Sequence, residues 1–146
     1  MAATTKRLEQ KIATDLPAKF ALIFDGWKCD HSSTHYVAVY ASYLDKNGKV
    51  ERVLLSFTPF LDESSYTAYD HKKLIKMVLR IFGRKLLNVI CLIGDNCATN
   101  RKLASECQLP FIGCAAHRFN LEVQLMLDRH SRILGLVLQP FHLHCF

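Results

Sequence analysis

Apolar positions in this chain come first as short runs and then at helical spacing. Residues 20–24 form an apolar run that closes on Asp25 and Gly26, the pattern of a buried strand whose last residue reaches the sheet edge. Residues 35–43 are rich in Tyr and Val. After the turn residues Asp45, Asn47 and Gly48, a second run covers 50–60, so this pair predicts an antiparallel hairpin. From Thr67 the period changes. Leu74, Val78, Ile81 and Phe82 fall on one helical face, with Ile75 and Leu79 widening the stripe. Thr67 with Asp70 three places on predicts a capping box, and Gly83 predicts the helix end.

Residues 88–93 are unbroken in apolar character, which predicts a strand buried on both faces, ending at Gly94-Asp95-Asn96. Residues 98–107 read as a short helix, 111–113 as a fifth strand, and 117–138 as a longer helix. Residues 1–18 mix Thr, Lys, Glu and Ala with few apolar anchors and read as a flexible tail or one loose turn. The expectation is one domain over 19–146, with 130–146 divergent in character. Its order is β-β-β-α-β-α-β-α in an α/β fold with a mixed sheet, an arrangement that matches the RNase H-like order.

Composition narrows the function classes. The formal charge of +6 favours a polyanion such as DNA, because Lys and Arg displace counterions from phosphates. The basic residues, among them Lys72, Lys73, Lys76, Arg80, Arg84 and Lys85, are spread along the chain, and solvated helix faces account for them equally well. No apolar run approaches the ~20 residues that span a bilayer, and residues 1–16 are too polar for a secretory signal, so a soluble intracellular protein is expected. The six cysteines lie mostly in apolar runs, which favours reduced thiols over a disulfide framework.

Two carboxylates stand out. Asp25 and Asp95 each follow an apolar run and sit beside a glycine, and the predicted order makes their strands neighbours. Acids paired in this way need a cation or a shared proton, and they hold Mg²⁺ through oxygen while leaving positions for water and phosphate. Two metals so bridged activate an attacking oxygen and stabilise a departing one. Asp-Gly and Asp-Asn are also ordinary turn dipeptides, which is the plainer reading of each acid taken singly.

Further motifs surround the acids. Trp27 follows the first, and reads as core filling or as a ring packed beneath the site. Lys28 and Arg118 flank the motifs as candidate DNA-phosphate contacts, with solvated surface charge as the alternative. Cys114 and His117 offer two zinc ligands where a structural site takes four. Cys97 and Cys107, or His142, His144 and Cys145, do not complete a common zinc spacing, so zinc is not expected. Cys114 alternatively reads as a small buried residue at a strand end. His117, beginning a helix, reads as support for the site or as a phosphate contact.

The blocks together resemble the hAT-type DNA transposases. Asp25-Gly26-Trp27 is similar to that family's first catalytic block, and the Tyr-rich strand 36–43 follows it. Ser64-Ser65-Tyr66-Thr67-Ala68 resembles the segment opening the helix, Asp95-Asn96-Cys97-Ala98-Thr99-Asn100 the second catalytic block, and Cys114-Ala115-Ala116-His117-Arg118-Phe119-Asn120-Leu121 the Cys-x-x-His block. The resemblance covers about 20–125. It implies a nuclear, RNase H-like nuclease and strand-transfer domain acting on transposon-end DNA, in a homo-oligomer, with two aspartates, a distant glutamate and Mg²⁺ or Mn²⁺. In it Asp25 and Asp95 are the catalytic metal ligands, and Trp27, Asn96, Cys114 and His117 support them.

In that family the glutamate lies beyond an all-helical insertion that begins near the Cys-x-x-His block. The expectation is therefore a domain truncated before its final catalytic helix and inactive alone. A domesticated DNA- or protein-binding module is the first alternative. A compact integrase-like nuclease is the second, with Asp128, 33 residues after Asp95, or more weakly Glu122, as third acid. A zinc-binding interaction domain is a further reading.

Overall fold

A computed structural model describes residues 2–28, 34–59 and 67–131. The chain forms two compact units, Met1–Gly113 and Cys114–Phe146. The first is an α/β unit with a mixed five-stranded sheet in the order β3-β2-β1-β4-β5. Its strands are β1 (Phe20–Lys28), β2 (His35–Leu44), β3 (Val50–Pro59), β4 (Val89–Gly94) and β5 (Phe111–Gly113). Its helices are α1 (Ala2–Asp15), α2 (Ala68–Ile81) and α3 (Ala98–Cys107). A single 3₁₀ turn, Leu86–Asn88, leads into β4.

Sheet pairing follows from the connections. The short turn after Leu44 leaves only an antiparallel return for β3, and β1 also lies antiparallel to β2. In that turn Asp45 Oδ1 accepts the amides of Asn47 and Lys49, both at 2.8 Å, and Gly48 takes φ +77°. Helical crossovers then give β4 parallel to β1 and β5 parallel to β4.

One face of the sheet builds the core. Phe20, Leu22 and Phe24 of β1, Val37, Val39 and Ala41 of β2, and Val89 and Leu92 of β4 pack with Leu74, Ile75, Val78 and Leu79 of α2 and with Leu103 of α3. Helix α2 opens as expected, with Thr67 and Asp70 completing a reciprocal capping box, and the chain leaves it through Gly83 at φ +66°. Its buried stripe is Leu74, Ile75, Val78 and Leu79, continued by Phe82; Ile81, assigned to that stripe from its spacing, is exposed.

Three readings change. Residues 2–15, expected as a tail, form α1, whose Ile12 and Ala13 lean on the core while Leu16 just beyond is 2% exposed. The Arg84 guanidinium secures this end by donating to the carbonyls of Ala13 and Leu16, a contact that no local pattern announces. Strand β4 is not buried on both faces: Ile90 is 52% exposed, because its side chain alternates away from the helix-covered face. Strand β1 runs three residues beyond Asp25, because its pairing with β2 continues to Lys28 opposite His35.

The second unit is described through α4 (Ala115–Arg129), which begins two residues earlier than its periodicity predicts. It presents Phe119, Leu121, Leu125, Met126 and Leu127 in exposed positions. No helix among the described residues is long and apolar enough to cross a membrane.

Candidate acidic site

Asp25 lies on β1, and Asp95 directly follows the adjacent strand β4. Parallel pairing aligns Leu22 with Leu92 and Ile23 with Ile93, and each acid lies two residues beyond that last pair. The two chains behave differently there. Asp25 is exposed and still paired to β2 opposite Ala38, whereas Asp95 has just left β4 and is half-buried. Alternation along β1 puts Asp25 and Trp27 on the face opposite Phe24 and the core.

Asp95 is held from below its own loop. Asn100, on the first turn of α3 and only 7% exposed, donates its side-chain amide to the Asp95 carbonyl at 3.2 Å and to the Asp95 carboxylate. Residue choice at Gly94 follows from the same crowding: a Cβ there would lie 3.2 Å from the Phe24 carbonyl and 3.3 Å from the Asn100 amide nitrogen. Any larger residue would require these neighbours to shift by a few tenths of an ångström.

Cys97 completes the turn as the N-cap of α3, its Sγ accepting the Asn100 amide at 3.4 Å. Burial pushes its thiol up from the ordinary value, and the hydrogen bond and charge of Asp95 add to the rise while the Asn100 amide opposes it. Asn96 is exposed and covers Gly113 of β5, whose added Cβ would fall 3.7 Å from that of Asn96.

Trp27 does not pack beneath the acids and does not fill the core. It is 58% exposed, with its ring centroid 6.0 Å from that of Tyr36, because β1 extends past the helix-covered core before it ends. Tyr36 in turn stacks on Phe57 at 5.3 Å and 10°, so three aromatic rings cross β1, β2 and β3 beside Asp25. Lys28 closes β1, but its side chain lies outside the described set, as do Cys29, Ser64, Ser65, Tyr66, His142, His144 and Cys145.

The remaining candidates belong to the second unit. Cys114 is half-buried and precedes α4 without capping it through its side chain. His117 and Arg118 are exposed on the first turn of α4, and Glu122 and Asp128 are exposed further along. Among the described residues no group of three or more His, Cys, Asp and Glu side chains is placed to hold a metal ion.

Sequence reasoning did not assign a role to Asn100 or Gly94. The signal for Asn100 was a carboxamide on the first turn of a helix that follows an acidic loop. No family model matches this chain, and no curated protein sequence is similar to it.

Proposed function

We propose that this chain carries the two-aspartate part of an RNase H-like, hAT-transposase-like catalytic core, related to metal-dependent DNA cleavage and strand transfer. The observation that carries the reading is the parallel pairing of β1 with β4, with both acids two residues past the Ile23–Ile93 pair at the same end of adjacent strands. The element order from β1 to α4 and the open ring surface beside Asp25 are consistent with it.

The donors suit a hard divalent cation. Asp25, Asp95 and the nearby carboxamide of Asn96 offer oxygen, which Mg²⁺ and Mn²⁺ prefer over the sulfur of Cys97. When bound, such a cation activates water and neutralises charge on a phosphodiester. The chain's own residues then have limited parts. Asp25 and Asp95 bind, and Asn100 orients Asp95. In-line displacement needs a complete acidic set, and among the described residues no third acid joins these two.

The test combines binding and cleavage. Trp27 is the single tryptophan and lies two residues from Asp25, so quenching of its fluorescence by Mn²⁺ reports occupancy. Weak quenching that is lost in both Asp25→Asn and Asp95→Asn is expected, together with no nicking of supercoiled DNA in Mg²⁺ or Mn²⁺. Quenching indifferent to both substitutions would remove the acidic-pair reading. Nicking by the wild type that Asp128→Asn abolishes without unfolding would replace it with a complete integrase-like nuclease.

A further inference from the structure

At the opposite end of β4 from Asp95, the chain leaving α2 and entering the 3₁₀ turn borders an open surface pocket of about 520 Å³. Its lining includes Lys76, Arg80, Arg84, Lys85, Leu86 and Leu87, with no acidic residue among them. The ion pair between Lys49 and Glu51 involves none of these cations. Four basic residues therefore line one space with no acidic residue in the lining, an arrangement that favours an anion.

The cations fall into two kinds. Arg84 is fixed: Nη2 donates to the Ala13 and Leu16 carbonyls and Nη1 reaches the Phe82 carbonyl at 3.5 Å. Its Nε is buried and has no hydrogen-bond partner among the described residues, so this side chain serves the fold more than the open space. Lys76, Arg80 and Lys85 are exposed. Arg80 also lies in the last turn of α2, where a cation complements the helix dipole, but that role engages one of the four.

We infer that this pocket is a binding site for a phosphate-bearing polyanion, either a free polyphosphate or a run of nucleic-acid backbone. A single carboxylate would leave most of the positive charge uncompensated, whereas successive phosphates present several oxygens to Arg and Lys donors. The exposed Leu87 and half-buried Leu86 add an apolar wall suited to the organic part of such a ligand. The site does not depend on the reading of Asp25 and Asp95, which lie at the other end of β4.

The experiment is calorimetric titration of the full chain at low salt with inorganic tripolyphosphate, and separately with a short DNA duplex. Binding of either probe is expected, weakened about fivefold or more in Lys76→Gln and in Arg80→Gln. Arg101→Gln and Lys102→Gln, exposed cations of α3, serve as charge-matched controls, and Asp25→Asn checks independence from the acidic site. Tripolyphosphate binding identifies a free polyphosphate as sufficient, and binding of the duplex alone assigns the site to nucleic-acid backbone. Equal losses in the α3 controls would reduce the effect to net charge and overturn the site. Oligoglutamate binding as tightly as tripolyphosphate would overturn the phosphate assignment, and no binding by either phosphate probe would overturn the inference altogether.

Discussion

The side-chain amide of Asn100 donates to Asp95 twice, at its carbonyl and at its carboxylate, from a position that is 7% exposed. A buried carboxamide with both bonds on one acidic residue fixes that residue's loop. Replacing it by alanine leaves two acceptors of Asp95 without that donor, at a cost of about 1–3 kcal/mol in chemical denaturation. Asn100→Asp is expected to cost more at pH 7 than at pH 4, because it sets a second carboxylate against the first. Equal stability of Asn100→Ala and wild type would show that the contact contributes nothing.

Gly94→Ala is expected to destabilise by about 1–3 kcal/mol, since its Cβ would crowd the Phe24 carbonyl and the Asn100 amide. Gly113→Ala provides the contrast. Its new carbon would meet Asn96 at an ordinary 3.7 Å, so its denaturation midpoint should stay close to that of the wild type.

The thiol of Cys97 titrates above the ordinary range through burial first and Asp95 second. Thiolate is the reactive form, so Asp95→Asn should speed alkylation of Cys97 severalfold at pH 8. The rate is read by peptide mass spectrometry, with Cys107, raised chiefly by its own burial, as the internal reference. Acceleration of both cysteines alike would indicate general loosening and not the loss of one carboxylate.

Asp45 is held below the usual carboxylate value, first by the Lys49 amide and also by the amide and side chain of Asn47. Its folded pKa is thus lower than the ~3.9 of an unfolded Asp, so its contribution to the β2–β3 turn is complete above that value. It is lost as pH falls through the folded pKa. Amide exchange at Lys49, corrected for its intrinsic pH dependence, should show protection that declines below about pH 4, and Asp45→Asn should flatten that decline.

Legibility from sequence tracked the range of the forces involved. The capping box of Thr67 and Asp70, the bounds of α3 and the three residues of β5 were readable because each depends on near neighbours. The adjacency of β1 and β4, the strands that lead to Asp25 and Asp95, was readable because an apolar run marks each and a helical crossover joins them. Helix α1 was not readable, since its end is secured by Arg84 about 70 residues away. The exposure of Trp27 was hidden by its composition: an aromatic residue after an apolar run reads as interior until the length of β1 beyond the core is known. The pocket beside Arg84 was hidden likewise, for a list of scattered cations does not say which of them line one space.

The central place of β1 has a consequence in time. Its antiparallel partner β2 follows within a few residues, but its parallel partner is remote, Phe20 pairing with Val89. A chain emerging from the ribosome can therefore assemble the β1–β2–β3 meander while one edge of β1 still faces solvent with its amides and carbonyls unpaired. Closing that edge requires a loop of roughly 70 residues to be drawn in, which is slow relative to hairpin formation. In pulse-labelled refolding, the amides shared by β2 and β3 should be protected early and those joining β1 to β4 late. The interval between the two is when this chain is most exposed to pairing with another strand.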